Sequence, residues 1–163
     1  MLQLLEIVSL LLVAVAMALS LAHALELPGK MRLEKAEYLA VQPIYYPGFT
    51  IGGAAEPLGV LALLVLLFSV PLGAGFWLVA GAFAALAAAH AVYWGMTHPV
   101  NDFWLKDTRL SRAGIAFFGT GRTAEEQADW RALRAQWEWS HVIRAGLSVL
   151  SFILLAAAVS LAG

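Results

Sequence analysis

The chain has 163 residues, 61% of them hydrophobic and 13% charged, with a net charge of −1 and a mean hydropathy of +0.79. A soluble domain carries about a quarter charged residues, so this balance points to one integral membrane domain over residues 1–163, without the basic excess that nucleic acid requires. The absence of cysteine removes disulfides, thiolate nucleophiles, Cys-ligated zinc and iron–sulfur clusters.

The first apolar run predicts a span over about 2–27, ended by the turn chemistry of Pro28-Gly29. Ala22-His23-Ala24 has the small-x-small form of a cleavage site. No Lys or Arg precedes the run, however, and Glu6 lies inside it, so a retained span is expected rather than a signal peptide. Lys30 to Gln42 alternates charged and apolar residues at helical spacing, with Leu33, Ala36 and Leu39 or Ala40 on one face. It reads as a short helix lying in the membrane interface. Pro43, Tyr45, Tyr46, Pro47 and Gly48 then predict an aromatic loop.

A second span is expected over 54–71 and a third over 76–97, ended by His98-Pro99. The Ala- and Gly-rich middle of the third span permits close helix approach. Val100 to Gly121 reads as a loop carrying Phe103, Trp104, Phe117 and Phe118. Thr123-Ala-Glu-Glu126 has the form of a capping box opening a final helix of close to 40 residues, which leaves the polar region and spans the membrane over 139–162. The fold expected is therefore all-α: an integral membrane four-helix bundle with an interfacial helix in its first long loop. All ten Lys and Arg lie between Lys30 and Arg144, in the two long loops and the helix entry beside them. The positive-inside rule makes that side cytoplasmic and puts both termini on the other side of the cell membrane.

This topology brings polar residues together. On the last helix Trp130, Trp137, His141, Arg144 and Ser148 fall on one stripe at 100° per residue, with Glu138 one turn before His141. His23 and Glu26 close the first span, Glu56 opens the second, and His90, Trp94, Thr97 or His98 and Asn101 run down the same half of the third. Ionisable groups inside a span are a functional-site hypothesis by default, and buried charges must pair. The expected pair is Glu26 or Glu138 with Arg144.

Three chemistries fit these residues. A metal, iron for instance, would use Glu138-x-x-His141 together with His23, Glu26, His98 and Glu56, a set related to di-iron carboxylate bundles. A haem would use two facing histidines, His90 with His141 or His23. A pocket without metal would take an apolar aromatic substrate, lined by Trp94, Trp137, Trp139, His90, Tyr45 and Tyr46, with His and Glu as acid and base. Beside these stands a purely structural reading, in which the same residues snorkel, cap helices or form an interfacial aromatic belt.

The segments YLAVQPIYYPGFTIGGAAEP, THPVNDFW and LRAQWEWSHVIRAGL, in this order around four spans, resemble the anthrone-oxygenase-like family of small four-helix membrane proteins. The shared elements are an aromatic-Gly-then-Pro segment before span two, Pro99-x-Asn101 after span three, and Trp137 with His141-x-x-Arg144 entering span four. The resemblance implies a cofactor-independent oxygenase that oxidises an anthrone-like methylene. By the chemistry, His141 would be the base and Arg144 and Asn101 would hold the developing oxyanion, with Glu138 beside them. His23-x-x-Glu26 and Glu138 depart from that pattern and keep a metal enzyme open. The expectation is thus an oxidoreductase acting on a hydrophobic aromatic or quinone-like molecule. A non-enzymatic membrane subunit or small transporter is the alternative. A hydrophobic small molecule and the lipid bilayer are the expected partners, with a homo-oligomer left open.

Overall fold

The computed structural model describes residues 1–105 and 129–162. The expected capping box at Thr123–Glu126, and Phe117 and Phe118, lie outside these. Among the described residues every element is helical. These elements are α1 (Leu2–Lys30), α2 (Lys35–Val41), a 3-10 turn (Gln42–Tyr45), α3 (Gly48–Gly53), α4 (Ala55–Ser69), α5 (Ala74–Val92), a π turn (Tyr93–Thr97), α6 (His98–Leu105) and α7 (Trp130–Ala162).

Four stretches are long and apolar enough to cross a membrane: Leu2–Lys30, Gly48–Ser69, Ala74–Asn101 and Trp130–Leu161. Sequential helices run antiparallel and close into a ring, α1 on α4, α4 on α5, α5 on α7 and α7 back on α1. The broadest face lies between α5 and α7, where α5 is built of small residues. A methyl at Gly81 would stand 3.0 Å from the Leu154 side chain, and Ser151 Oγ donates to the Ala82 carbonyl at 2.8 Å.

The bundle has two halves. Around Val13, Leu63, Leu66, Val79, Leu86 and Leu155 the core is aliphatic. Toward the long loops it turns aromatic, around Tyr38, Tyr45, Val100, Trp104 and Trp137, and the buried ionisable groups gather there.

Three expected boundaries move. The first helix passes Pro28 and ends at Lys30, with the Met31 and Arg32 amides closing its last turn on Leu27 and Gly29. An interior proline costs a helix about 3 kcal/mol. Here the buried Lys30 ammonium, tied to Glu26 at 2.9 Å, holds the last turn in place against that cost. The third helix likewise does not stop at His98-Pro99. The His98 amide reaches back to the Tyr93 carbonyl in a π turn, and α6 then starts with Pro99 in its first turn, where a missing N–H costs little. Finally, the aromatic loop is largely helical, a 3-10 turn followed by α3.

The helix expected from Lys30 to Gln42 is shorter, Lys35–Val41. Glu34 caps it, and the Glu37 carboxylate accepts from the Glu34 amide at 3.1 Å. Of the expected face of Leu33, Ala36 and Leu39 or Ala40, the two leucines pack on the aromatic core; the fully buried residue is Tyr38, continued by Gln42 and Tyr45 in the turn that follows. Leu33 and Leu39 are half-buried, while Ala36 and Ala40 are exposed.

Candidate functional site

The polar half contains two ionic networks and a cavity between them. The first centres on Lys30, 5% exposed. Its ammonium lies 2.9 Å from Glu26 Oε2, 3.7 Å from Glu138 Oε1 and 3.4 Å from His23 Nδ1, and 4.8 Å from the ring centres of both Tyr45 and Trp137. Two phenols complete it. Tyr38 donates to Glu138 Oε1 at 2.7 Å, and Tyr45 donates to Glu26 Oε2. Burial first, and then the Glu138 charge, push the Tyr38 phenol well above its ordinary range; burial and the Glu26 hydrogen bond do the same to Tyr45.

Glu56, on α4, centres the second network. Its Oε2 accepts from Arg144 at 2.8 Å and its Oε1 lies 3.0 Å from His90 Nδ1. The Trp94 indole donates to His90 Nε2 at 3.0 Å, so the His90 proton sits on Nδ1 and is donated to Glu56. Arg144 also lies over the Tyr93 ring, 5.1 Å from its centre.

Between the networks lies a cavity of ≈ 60 Å³, lined by His23, Gln42, Tyr45, Tyr46, Phe49, Asn101, Trp104, Trp137, His141 and Arg144, among others. The His141 ring contacts the His23 ring, centroids 4.2 Å apart, and the Trp137 ring at 4.1 Å. His141 Nδ1 is 2.8 Å from the Trp137 carbonyl. A carbonyl only accepts, so Nδ1 carries the proton and Nε2 keeps its lone pair. For His23 the logic inverts: Nδ1 accepts from the Lys30 ammonium, which leaves the proton on Nε2. One ring therefore presents an acceptor and its neighbour a donor.

Besides the His141 Nε2 lone pair, the buried polar atoms left unsatisfied on the cavity residues are N–H donors. Trp137 Nε1 donates to Asn101 Oδ1 at 3.0 Å, which fixes the orientation of the amide and leaves buried Asn101 Nδ2 without a partner. Trp104 Nε1, Arg144 Nε and Gln42 Nε2 are also buried and unpartnered. Groups of this kind normally find a partner, whether protein, water or ligand.

Seven expected site residues thus surround one cavity: His23, Tyr45, Tyr46, Asn101, Trp137, His141 and Arg144. Others do not. Trp94 is half exposed and, with His90, belongs to the Glu56 network rather than the cavity wall, because the π turn rotates it away from Asn101. Trp139 is exposed in the manner of a belt residue. His98 packs on Trp94, with ring centroids 4.6 Å apart, away from His23 and Glu138. Arg144 pairs with Glu56, not with Glu26 or Glu138.

The expected metal set of His23, Glu26, Glu138, His141 and His98 is not assembled. Among the described residues no group of three or more His, Asp or Glu side chains is placed to hold a metal ion. The cation between Glu26, Glu138 and His23 is Lys30 itself, which sequence reasoning missed by treating Pro28-Gly29 as the helix end. The i, i+4 spacing of Glu26 and Lys30, and the i, i+7 spacing of His23 and Lys30, were the available signal. A haem between two histidines fits no better: His23 and His141 are in ring contact, and both His90 nitrogens are engaged. No family model matches this chain, and no curated protein or solved structure matches it.

Proposed function

We propose that this is a multi-pass membrane protein whose cavity binds a hydrophobic aromatic molecule bearing a carbonyl-type oxygen, and that it acts on it as an oxidoreductase of the anthrone-oxygenase type. The observation that carries this reading is the set of buried unpartnered donors on cavity residues, Asn101 Nδ2, Trp104 Nε1 and Arg144 Nε, beside aromatic walls and with His141 Nε2 as the free acceptor among them. A ligand oxygen satisfies such donors, and an aryl body suits Tyr45, Phe49 and Trp137. The free volume suits the oxygen-bearing edge of a ring; a larger body displaces the half-buried Tyr46 and Phe49 at the rim.

The chemistry follows from the two imidazoles. His141, neutral with a free Nε2, takes a proton from a methylene activated by the neighbouring aryl carbonyl, and the N–H donors hold the enolate oxygen. The enolate then reduces O₂, so that the methylene and O₂ become a carbonyl and water. His23 Nε2–H, backed by Lys30, returns a proton to the reduced oxygen. Four apolar stretches of 22 to 32 residues support a bilayer location. The concentration of Lys and Arg in the long loops puts those loops in the cytoplasm and both termini outside it.

The test is tryptophan fluorescence of detergent-purified protein titrated with anthrone, anthraquinone and anthracene. The two oxygen-bearing rings are expected to bind at least about tenfold more tightly than the hydrocarbon, and Asn101→Ala to remove about that factor. Equal binding of all three would sink the cavity reading. Oxygen uptake with anthrone that persists undiminished in His141→Ala would sink the role of the base.

A further inference from the structure

At the opposite end of the bundle, Glu6 lines a second cavity of ≈ 460 Å³, formed where the α4–α5 turn at Pro71–Gly75 meets the first turns of α1 and the last turns of α7. The volume falls within the range of small-molecule pockets, about 300–1,000 Å³. Glu6 is 9% exposed, and among the described residues it has neither an ion pair nor a hydrogen bond, although every other buried carboxylate here has both. One turn along the same helix, Ser9 Oγ is fully buried and also without a partner. The remaining wall is aliphatic, from Leu66, Val79, Ala158 and Val159.

An unanswered carboxyl in such surroundings is costly in either protonation state, because the acid form also needs an acceptor for its proton. No Lys or Arg lies in the sequence before Lys30 or after Arg144, so the neighbouring stretches of α1 and α7 supply no basic side chain. A bare inorganic cation would shed its water for one carboxylate and an apolar wall, a poor exchange. An ammonium group on an apolar body satisfies both features at once: the charge meets Glu6 and the hydrocarbon covers the aliphatic wall.

We propose that this end cavity is a second ligand site that takes a protonated lipophilic amine, with Glu6 as its counter-ion. The ammonium comes either from a free amine or from an amino-headgroup lipid, and the two sources are separable. Decylamine at pH 7 is expected to raise the melting temperature of the detergent-solubilised protein by several degrees more than decanol at the same concentration. The difference is expected to vanish in Glu6→Gln, which keeps the side-chain shape. If decylamine fails and bicelles containing phosphatidylethanolamine stabilise wild type but not Glu6→Gln, the lipid headgroup is the source and the site stands. Equal stabilisation by amine and alcohol with no effect of the lipid overturns it, as does a Glu6→Gln response equal to wild type. Should Glu6→Gln not fold, the amine-against-alcohol and lipid comparisons on wild type decide the matter. The site is independent of the His141 cavity, and neither test depends on the other.

Discussion

Lys30 does the work that the spacing of His23, Glu26 and Glu138 suggested for a metal. Its removal leaves Glu138, 1% exposed, with Tyr38 as its remaining donor and no cation in hydrogen-bond contact. Breaking a buried pair from one side costs about 3–5 kcal/mol. Lys30→Met is therefore expected to lose stability on that scale, measured by unfolding in mixed micelles, and Lys30→Arg to lose much less. Tyr38 carries a pH signature. Its phenol is raised in the fold and ordinary in the unfolded chain, so its contribution is complete below about pH 10. Above that the unfolded chain gives up a proton that the fold retains, and stability falls by up to about 1.4 kcal/mol per pH unit. Unfolding free energies measured from pH 8 to 11 should bend downward near pH 10, and Tyr38→Phe should reduce the bend, leaving the part due to Tyr45. The gathering of His23, Glu26, Glu56, His90, Glu138, His141 and Arg144 in one half was legible from topology and periodicity. Their division into two networks was not, because it depends on a lysine beyond a proline and on which carboxylate each rotamer reaches.

At the level of elements, the π turn at Tyr93–Thr97 decides which residues of the third span face the cavity. An uninterrupted α-helix would put His90, Trp94 and Asn101 on one stripe. The extra residue in the turn breaks that stripe, so Asn101 is buried against Trp137 while Trp94 turns outward. Deleting Gly95, which meets nothing within 4 Å, takes out the extra residue and lets the turn close as α-helix, with Asn101 kept on the face that the π turn gives it. The expected result is unchanged helix content by circular dichroism with discrimination between anthraquinone and anthracene retained; its loss would show that the turn's own geometry, and not the face of Asn101, sets the cavity. The four long helices were readable from hydropathy alone, whereas the first helix's end at Lys30 and the third's continuation past His98 were not. Proline signals are local, and here tertiary anchoring at Lys30 and π-turn geometry before Pro99 outweigh them.

For the whole molecule, the absence of cysteine makes orientation directly measurable. Single cysteines at Gln3 and at Lys35 in intact cells, probed with a membrane-impermeant maleimide, are expected to label at the first and not at the second. The reverse pattern would invert the proposed orientation. The ring of antiparallel helices makes this a single question, since α1, α4, α5 and α7 alternate in direction.

The charges of the polar half also balance once Arg134, buried and bonded to the Leu33 carbonyl, is counted with the two networks. Glu26, Glu56 and Glu138 share the polar half with Lys30, Arg134 and Arg144, three anions against three cations. Moving one elementary charge through 100 mV costs about 2.3 kcal/mol. A polar half whose paired charges sum to zero offers a transmembrane potential no net charge to push on. Seated in an energised bilayer, the cavity should therefore take up a neutral ligand equally well whether the membrane is polarised or collapsed.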